Sequence, residues 1–342
     1  MRIYRQLADL PPAAAPVVAT IGNFDGVHLG HQSVIAEVNA RARFLGGASL
    51  AITFDPHPAR LLRPETHLPL ITPLPRKLEL LAATGIDATL VLPFTEALAL
   101  TSARDFATTI LRNALHVTEV HEGESFRFGH NAEAGAEGLA ALGHALNFRV
   151  TTYAPESLRG APISSSRIRA LIAAGRISHA RALPGRPFSI DSTPAPGRGY
   201  GARYAVPTIN LAPYPDLLPA HGVYVTTLTI NPSNNAGAPR LDSETWEMPP
   251  QTFPAVTNIG VRPTFGADSF AVESHLLDFH PIPLDERTPL RLTFLRRLRD
   301  EQRFPTPEAL RAQIALDIAR ARRLFSLRPP PYCHPCISKG AA

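Results

Sequence analysis

The sequence predicts an α/β protein of two modules: a parallel sheet with crossover helices, then a small β-barrel closed by one helix. Strand-like apolar runs alternate with helical periodicity through the first half, which is the signature of a parallel sheet. At Leu183-Pro184-Gly185-Arg186-Pro187 the pattern changes, and short strand-like runs separated by turns follow, as in a barrel. The length of 342 residues exceeds one typical domain. The expected division is 1–184, 185–326 and a disordered tail over 327–342.

Taken in order, the first strand is the apolar run 17–21, which breaks at Gly22 into a segment with further glycines at 26 and 30. Apolar spacing then predicts a helix over 32–44. A glycine turn that hands a strand over to a helix is suited to phosphate, because glycine lets a ligand approach the backbone and the helix N-terminus presents unpaired N–H groups. His28 and His31, separated by Gly30, can both donate to one phosphate chain there; the alternative is two surface histidines in a loop. The spacing matches neither the dinucleotide nor the P-loop glycine pattern.

Residues 48–54 form a second strand ending in Asp55-Pro56-His57-Pro58, a stiff loop at the end of the sheet where ligands bind, so Phe54, Pro56 and His57 are site candidates. A helix over 76–83, a strand over 88–92 and a helix over 101–115 capped by Ser102 follow. After a short strand at 117, Phe126 and Phe128 flank Arg127 in a glycine-bounded loop, able either to stack on a planar ring or to anchor the loop. Helix 139–148 and strand 149–153 lead to Ser164-Ser165-Ser166-Arg167-Ile168-Arg169. Those serines and arginines open a helix and form a second anion site, or a plain cap. In the second module, strands are expected at 188–192, 222–230, 253–260, 270–279 and 290–295. Thr306 and Pro307 start the closing helix, with Leu310, Ile314 and Ile318 as an i, i+4 stripe.

The totals exclude several classes. There is no 18-residue apolar run and no secretory h-region, so a cytoplasmic protein without membrane partners is expected. The net charge of +5 is spread rather than clustered, which argues against nucleic acid and suits small anionic ligands. Cys333 and Cys336, both in the last ten residues, cannot frame the fold, and their Cys-His-Pro-Cys spacing lacks the second pair a structural zinc needs.

Read together, the motifs resemble a known family. Gly22-Asn23-Phe24-Asp25-Gly26-Val27-His28-Leu29-Gly30-His31, then Thr53-Phe54-Asp55-Pro56-His57-Pro58, then Ser164-Ser165-Ser166-Arg167-Ile168-Arg169 occur in the order seen in the bacterial bifunctional riboflavin kinase/FAD synthetases. The second half is similar too, in Pro207-Thr208-Ile209-Asn210, Gly222-Val223-Tyr224, Asn258-Ile259-Gly260, Val272-Glu273-Ser274-His275 and Leu298-Arg299.

The resemblance implies a Rossmann-like nucleotidyltransferase domain that joins AMP from ATP to FMN, followed by a riboflavin-kinase-like barrel. On the first domain it implies that Gly22, Asn23, His28, Gly30 and His31 receive the ATP phosphates and that Ser164, Ser165 and Arg167 close on the leaving pyrophosphate. Phe54, Pro56, His57, Ser125 and Phe128 would border the flavin, as would Arg299 on the second domain. There, Thr208 and Asn210 would hold Mg²⁺ and ATP phosphate, with Glu273 as the base on the ribityl hydroxyl. The implied partners are riboflavin, FMN, FAD and ATP, all small molecules.

Two departures stand out. The kinase loop of the family reads close to GRxLGFPTAN, whereas here residues 201–210 read GARYAVPTIN, with Ala205 narrowing backbone access and Arg203 able to restore charge. Ser125 stands where the family has Asp or Asn. The alternatives are therefore a monofunctional FAD synthetase whose barrel binds flavin without phosphorylating it, and a flavin-binding regulatory protein.

Overall fold

Six strands build the N-terminal sheet of the computed structural model, which describes residues 1–11, 15–195, 208–231, 250–261, 270–278 and 284–327. They are β1 (Arg2–Tyr4), β2 (Val17–Ile21), β3 (Ala48–Asp55), β4 (Ala88–Pro93), β5 (Val117–Gly123) and β6 (Arg149–Tyr153). Their order is β1-β4-β3-β2-β5-β6, with every pairing parallel. The chain builds outward from β2 through β3 to β4, then returns to β2's other side with β5. The strand order therefore reverses between β2 and β5, and the carboxyl ends of the strands there form the crevice in which such sheets bind ligands.

Side-chain alternation along the strands feeds two cores. Val18 and Ala51 pack with Ile35, Val38 and Ala42 of α1 (Leu29–Phe44) and with Leu80 and Leu81 of α2 (Leu74–Ala82). On the opposite face, Ala19, Ile21, Leu50 and Ile52 meet Phe106, Ile110 and Leu111 of α3, which runs from Ala103–Asp105 into Phe106–Ala114, and Leu139 of α4 (Ala136–Leu146). Covered on both faces, the strands need the nearly continuous apolar runs seen in the sequence. Ser102 caps α3 as expected, its hydroxyl accepting from the Asp105 N–H at 3.0 Å. The edge strand β1 was not expected; its three residues are too few to show a period.

The second sheet has seven strands: β7 (Phe188–Ser192), β8 (Pro194–Ala195), β9 (Thr208–Leu211), β10 (Gly222–Ile230), β11 (Gln251–Val261), β12 (Phe270–Leu276) and β13 (Leu290–Arg299). They are antiparallel throughout, in the order β7-β13-β10-β11-β12-β9-β8. The register between β10 and β13 shifts at Val223/Tyr224 and at Val225/Thr226, irregularities of the kind that bend a strand. The sheet curls into a half-barrel, and α6 (Pro307–Leu327) closes it. The expected stripe on α6 is only partly used. Leu310 is 42% and Ile314 37% exposed, whereas Ile318, Ala321, Leu324 and Phe325 pack on Val223, Val225, Val256 and Leu277. Asp317 is buried too, at 2% exposed, and accepts from Arg299 Nε at 2.9 Å.

Spatial contacts divide the chain into two compact units. One takes Met1–Ile168 with Leu183–Gly185, and the other takes Arg169–Ala182 with the described residues from Arg186 onward. The kinase-like loop at 201–207, the expected connection over 232–249 and the tail with Cys333 and Cys336 lie outside the described residues. Among the described residues, no helix is long and apolar enough to cross a membrane.

Gly222 starts β10 at φ +148°, and a Cβ there would lie 2.5 Å from the Arg299 carbonyl oxygen. Gly222→Ala is expected to cost about 2 kcal/mol or more, through backbone strain and a clash with a paired strand. Thermal unfolding should show a lowered midpoint, and an unchanged one would count against this register.

Candidate functional site

The glycine turn lies at the carboxyl end of β2, beside the reversal of strand order. Phe24, Gly26 and Val27 all have positive φ, so the backbone coils tightly before entering α1. The helix starts at Leu29 rather than at residue 32, because His28 serves as its N-cap: the His28 Nδ1 accepts the His31 N–H at 3.3 Å. That bond assigns Nδ1 as the acceptor and leaves the proton of neutral His28 on Nε2. The two imidazoles stack at 3.6 Å between centroids, 17° apart, and Phe24 meets His31 edge-on at 5.3 Å. Gly30 tolerates no side chain easily, since a Cβ would fall 3.3 Å from His28 Nδ1. The pair of histidines is thus held as one unit on the first turn of a helix, where the backbone itself favours anions.

Hydrogen bonds bring the three N-terminal motifs together. The Ser165 hydroxyl donates to the Asp25 carbonyl at 2.7 Å, joining the serine motif to the glycine turn. Thr53, in β3, points its hydroxyl to the Asn23 carbonyl at 3.4 Å. The buried Asp25 carboxylate accepts from the Ile71 N–H at 3.0 Å, the Thr72 N–H at 2.9 Å and the Thr72 hydroxyl at 3.2 Å, and Thr72 Oγ1 in turn accepts the Gly26 N–H at 2.8 Å. Neither Asp25 nor Thr72 had been assigned a role from sequence. Asp25 lay inside the motif, yet nothing local shows that its partners are 46 residues away.

The remaining candidates at this end of the sheet are placed as follows. Ser164 Oγ accepts the Arg167 N–H at 3.2 Å and so caps α5 (Ser165–Ala173). The Arg167 guanidinium donates to the carbonyls of Ala161 at 2.8 Å and Pro162 at 3.0 Å, ordering the chain before the helix and putting its charge at the helix start. Phe54 meets Phe94 edge-on at 5.7 Å, and Asp55-Pro56 is a cis peptide. His57 is buried and accepts the Ala59 N–H through Nδ1 at 3.1 Å. Ser125 is exposed in the loop after β5. Phe128, 9% exposed, is turned into the core against Phe106, while the partly exposed Phe126 stacks on it at 5.4 Å.

Two buried charged groups flank the turn and were not legible in sequence. Glu122, 4% exposed, accepts from the Ile21 N–H and from the Thr20 hydroxyl at 3.3 Å, and burial pushes its carboxyl well above the usual range. Lys77 on α2 reaches Thr53 Oγ1 at 3.5 Å; burial pushes its ammonium below the ordinary lysine value, and the charges of Asp25 and Asp55 oppose that.

In the second unit the register decides the site. Asn210 on β9 lies opposite Glu273 on β12, Thr208 lies opposite His275, and Asn258 on β11 is paired with Glu273 from the other side. The expected metal and base residues therefore sit on adjacent strands. Glu273 is exposed, while its neighbour Ser274 is buried in a hydroxyl ladder with Thr257 at 3.0 Å and, beyond it, Thr226 at 2.7 Å. Alternation thus directs Glu273 to the wet face. Hydroxyl, amide and carboxylate oxygens are donors suited to a hard cation. Among the described residues, no group of three or more His, Cys, Asp or Glu is arranged to hold a metal by itself. Arg299 is engaged by Asp317 and stands 5.6 Å from the Phe304 ring, which ties it to α6.

A glycine turn opening a helix in one unit and a strand-borne carboxylate paired in register with two asparagines in the other are what a two-module transferase would need. Comparison with known proteins agrees: a family model for FAD synthetase matches residues 10–167 and one for riboflavin kinase matches residues 184–325. The bifunctional riboflavin kinase/FMN adenylyltransferase of Pseudomonas fluorescens is 36% identical over 95% of this chain and 98% of its own, and that of Escherichia coli K12 is 30% identical over 96% and 100%. A solved structure described as a macrolide-efflux protein from Streptococcus pneumoniae aligns with a TM-score of 0.79 at 25% identity, over 94% of this chain and 98% of that one. The chain belongs to the bifunctional riboflavin kinase/FMN adenylyltransferase family.

Asp25→Ala should cost about 1–3 kcal/mol, the penalty for orphaning buried backbone donors, and should release residues 71–72 from the turn. A lowered unfolding midpoint together with faster amide exchange at Ile71 and Thr72 is the expected result. For Glu122 the raised carboxyl favours folding with the proton on. Its contribution is present below the ordinary carboxylate pKa and is lost as pH rises toward the folded-state value. Glu122→Gln removes that loss, so the midpoint of the variant relative to the parent should be higher at pH 8 than at pH 5; a constant difference would refute the assignment.

Proposed function

We propose that this chain converts riboflavin to FMN and FMN to FAD, one ATP being used in each step. The observation that carries the reading is the full-length similarity to bifunctional relatives, with a separate family match over each unit. In the first unit, a phosphate oxygen of FMN attacks the α-phosphorus of ATP, forming the new phosphoanhydride, and pyrophosphate leaves. No covalent enzyme group is required, so the protein's task is positioning and charge neutralisation. The turn from Gly22 to Gly30 opens into the α1 N-terminus, Asn23 lies beside it, and His28 with His31 donates to the triphosphate. Ser164, Ser165 and Arg167 attend the departing pyrophosphate from the α5 N-terminus, which the Ser165 to Asp25 bond ties to the turn. Phe54, Pro56, His57 and the 125–128 loop border the flavin.

In the second unit, Glu273 accepts the proton of the ribityl hydroxyl as its oxygen attacks the γ-phosphorus, and ADP leaves. Thr208 and Asn210, next to Glu273 in the sheet, would hold Mg²⁺, which when bound neutralises phosphate charge. The family match over 184–325 and this clustering favour the bifunctional reading over a barrel that only binds flavin. The protein is read as cytoplasmic, acting on small molecules and not on nucleic acid.

Incubation with Mg-ATP and either riboflavin or FMN, followed by chromatography of the flavins, tests the reading. FMN and FAD should form from riboflavin; FAD formed only from supplied FMN would leave a monofunctional synthetase. Glu273→Ala is expected to lower riboflavin phosphorylation by about 10²-fold or more while sparing adenylylation, and His31→Ala to do the reverse. Loss of both activities in either folded variant would break the two-site assignment.

A further inference from the structure

Lys77 is one of two lysines among the 34 basic residues of the chain, and the other, Lys339, lies outside the described residues. In a protein that uses arginine almost everywhere, a compact point charge at a buried position suggests a requirement that a guanidinium does not meet. Lys77 is 3% exposed. An ammonium has three donors, yet among the described residues Lys77 makes one long hydrogen bond, to Thr53 Oγ1 at 3.5 Å, and no ion pair. Burying so poorly matched a charge opposes folding, and an apolar side chain of the same length would suit the fold at least as well.

The surroundings indicate what the charge is for. Thr53 accepts from Lys77 and donates to the Asn23 carbonyl at 3.4 Å, so two long hydrogen bonds in sequence link the ammonium to the glycine turn. Two carboxylates act on Lys77 at longer range, Asp25 within that turn and Asp55 at the start of the Asp55-Pro56-His57 loop. The ammonium is thus linked through Thr53 to the turn proposed to receive phosphate, and it feels the charge of Asp55 at the start of the loop proposed to border the flavin. We propose that Lys77 is a positioning residue for adenylyl transfer: acting through the Thr53 hydroxyl, it sets a positive charge behind the turn that receives the triphosphate.

The inference rests on the adenylyl-transfer reading, and the experiment separates the two. The full chain and Lys77→Met are compared for FAD formation from FMN at varied ATP, for riboflavin phosphorylation and for thermal midpoint. The expected result is an unchanged or raised midpoint, unchanged riboflavin phosphorylation, and a fall of about tenfold or more in kcat/KM for ATP in adenylylation, the scale of one buried charge acting at short range. Adenylylation at the parent level would overturn the proposal. So would a lowered midpoint with equal loss of both activities, because a merely structural lysine gives that pattern. Should the methionine variant fail to fold, Lys77→Gln is judged by the same criteria. If the parent chain itself makes no FAD from FMN, the adenylyl-transfer reading fails first and the proposal with it.

Discussion

The N-terminal site depends on Asp25. Its carboxylate binds the backbone of Ile71 and Thr72, and its carbonyl takes the hydroxyl of Ser165, so one buried residue joins the glycine turn, the approach to α2 and the start of α5. A helix start proposed to receive phosphate works only if the backbone before it cannot relax, because groups that stabilise a transferring phosphate do so by being fixed in advance. A turn with three non-glycine or glycine residues at positive φ would not hold that shape alone. Asp25 and Thr72 supply the restraint, satisfying donors that burial would otherwise leave unpaired.

The two units solve the same chemical problem by different means. In the parallel sheet, the crevice comes from topology: the strand order reverses between β2 and β5, and every strand there ends on the same side. In the curled antiparallel sheet, the candidate site comes from register. Asn210, Glu273 and Asn258 come from three strands far apart in sequence and lie side by side because of how β9, β12 and β11 pair. A slip of one residue would turn Glu273 inward and Ser274 outward, so the buried hydroxyl ladder that fixes Ser274 also fixes the carboxylate.

Much of the site could be read locally. Glycines at 22, 26 and 30 around His28 and His31 announce a strand-turn-helix whatever surrounds them, and Ser164 caps α5 as its neighbours suggest. Other side chains show their neighbours only in the folded chain. Phe128 anchors its loop on Phe106, and Arg299 is engaged by Asp317, because aromatic and cationic side chains serve packing or binding equally well in sequence. Of the α6 stripe only Ile318 packs inward, because a helix with apolar residues on several sides does not reveal from its sequence which side the sheet will cover.

The sequence by itself determined the two-module architecture, the glycine-rich strand-turn-helix and the ordered motifs that place the chain in its family. These follow from short-range rules of periodicity, glycine geometry and helix capping that act within a few residues. Only the tertiary structure decided that Asp25 is the hub, that Glu122 is buried against the Ile21 N–H with its carboxyl pushed up, and that Lys77 sits behind Thr53. Burial and pairing are properties of neighbours tens of residues apart, and the environment they create is what shifts a carboxyl or strands an ammonium.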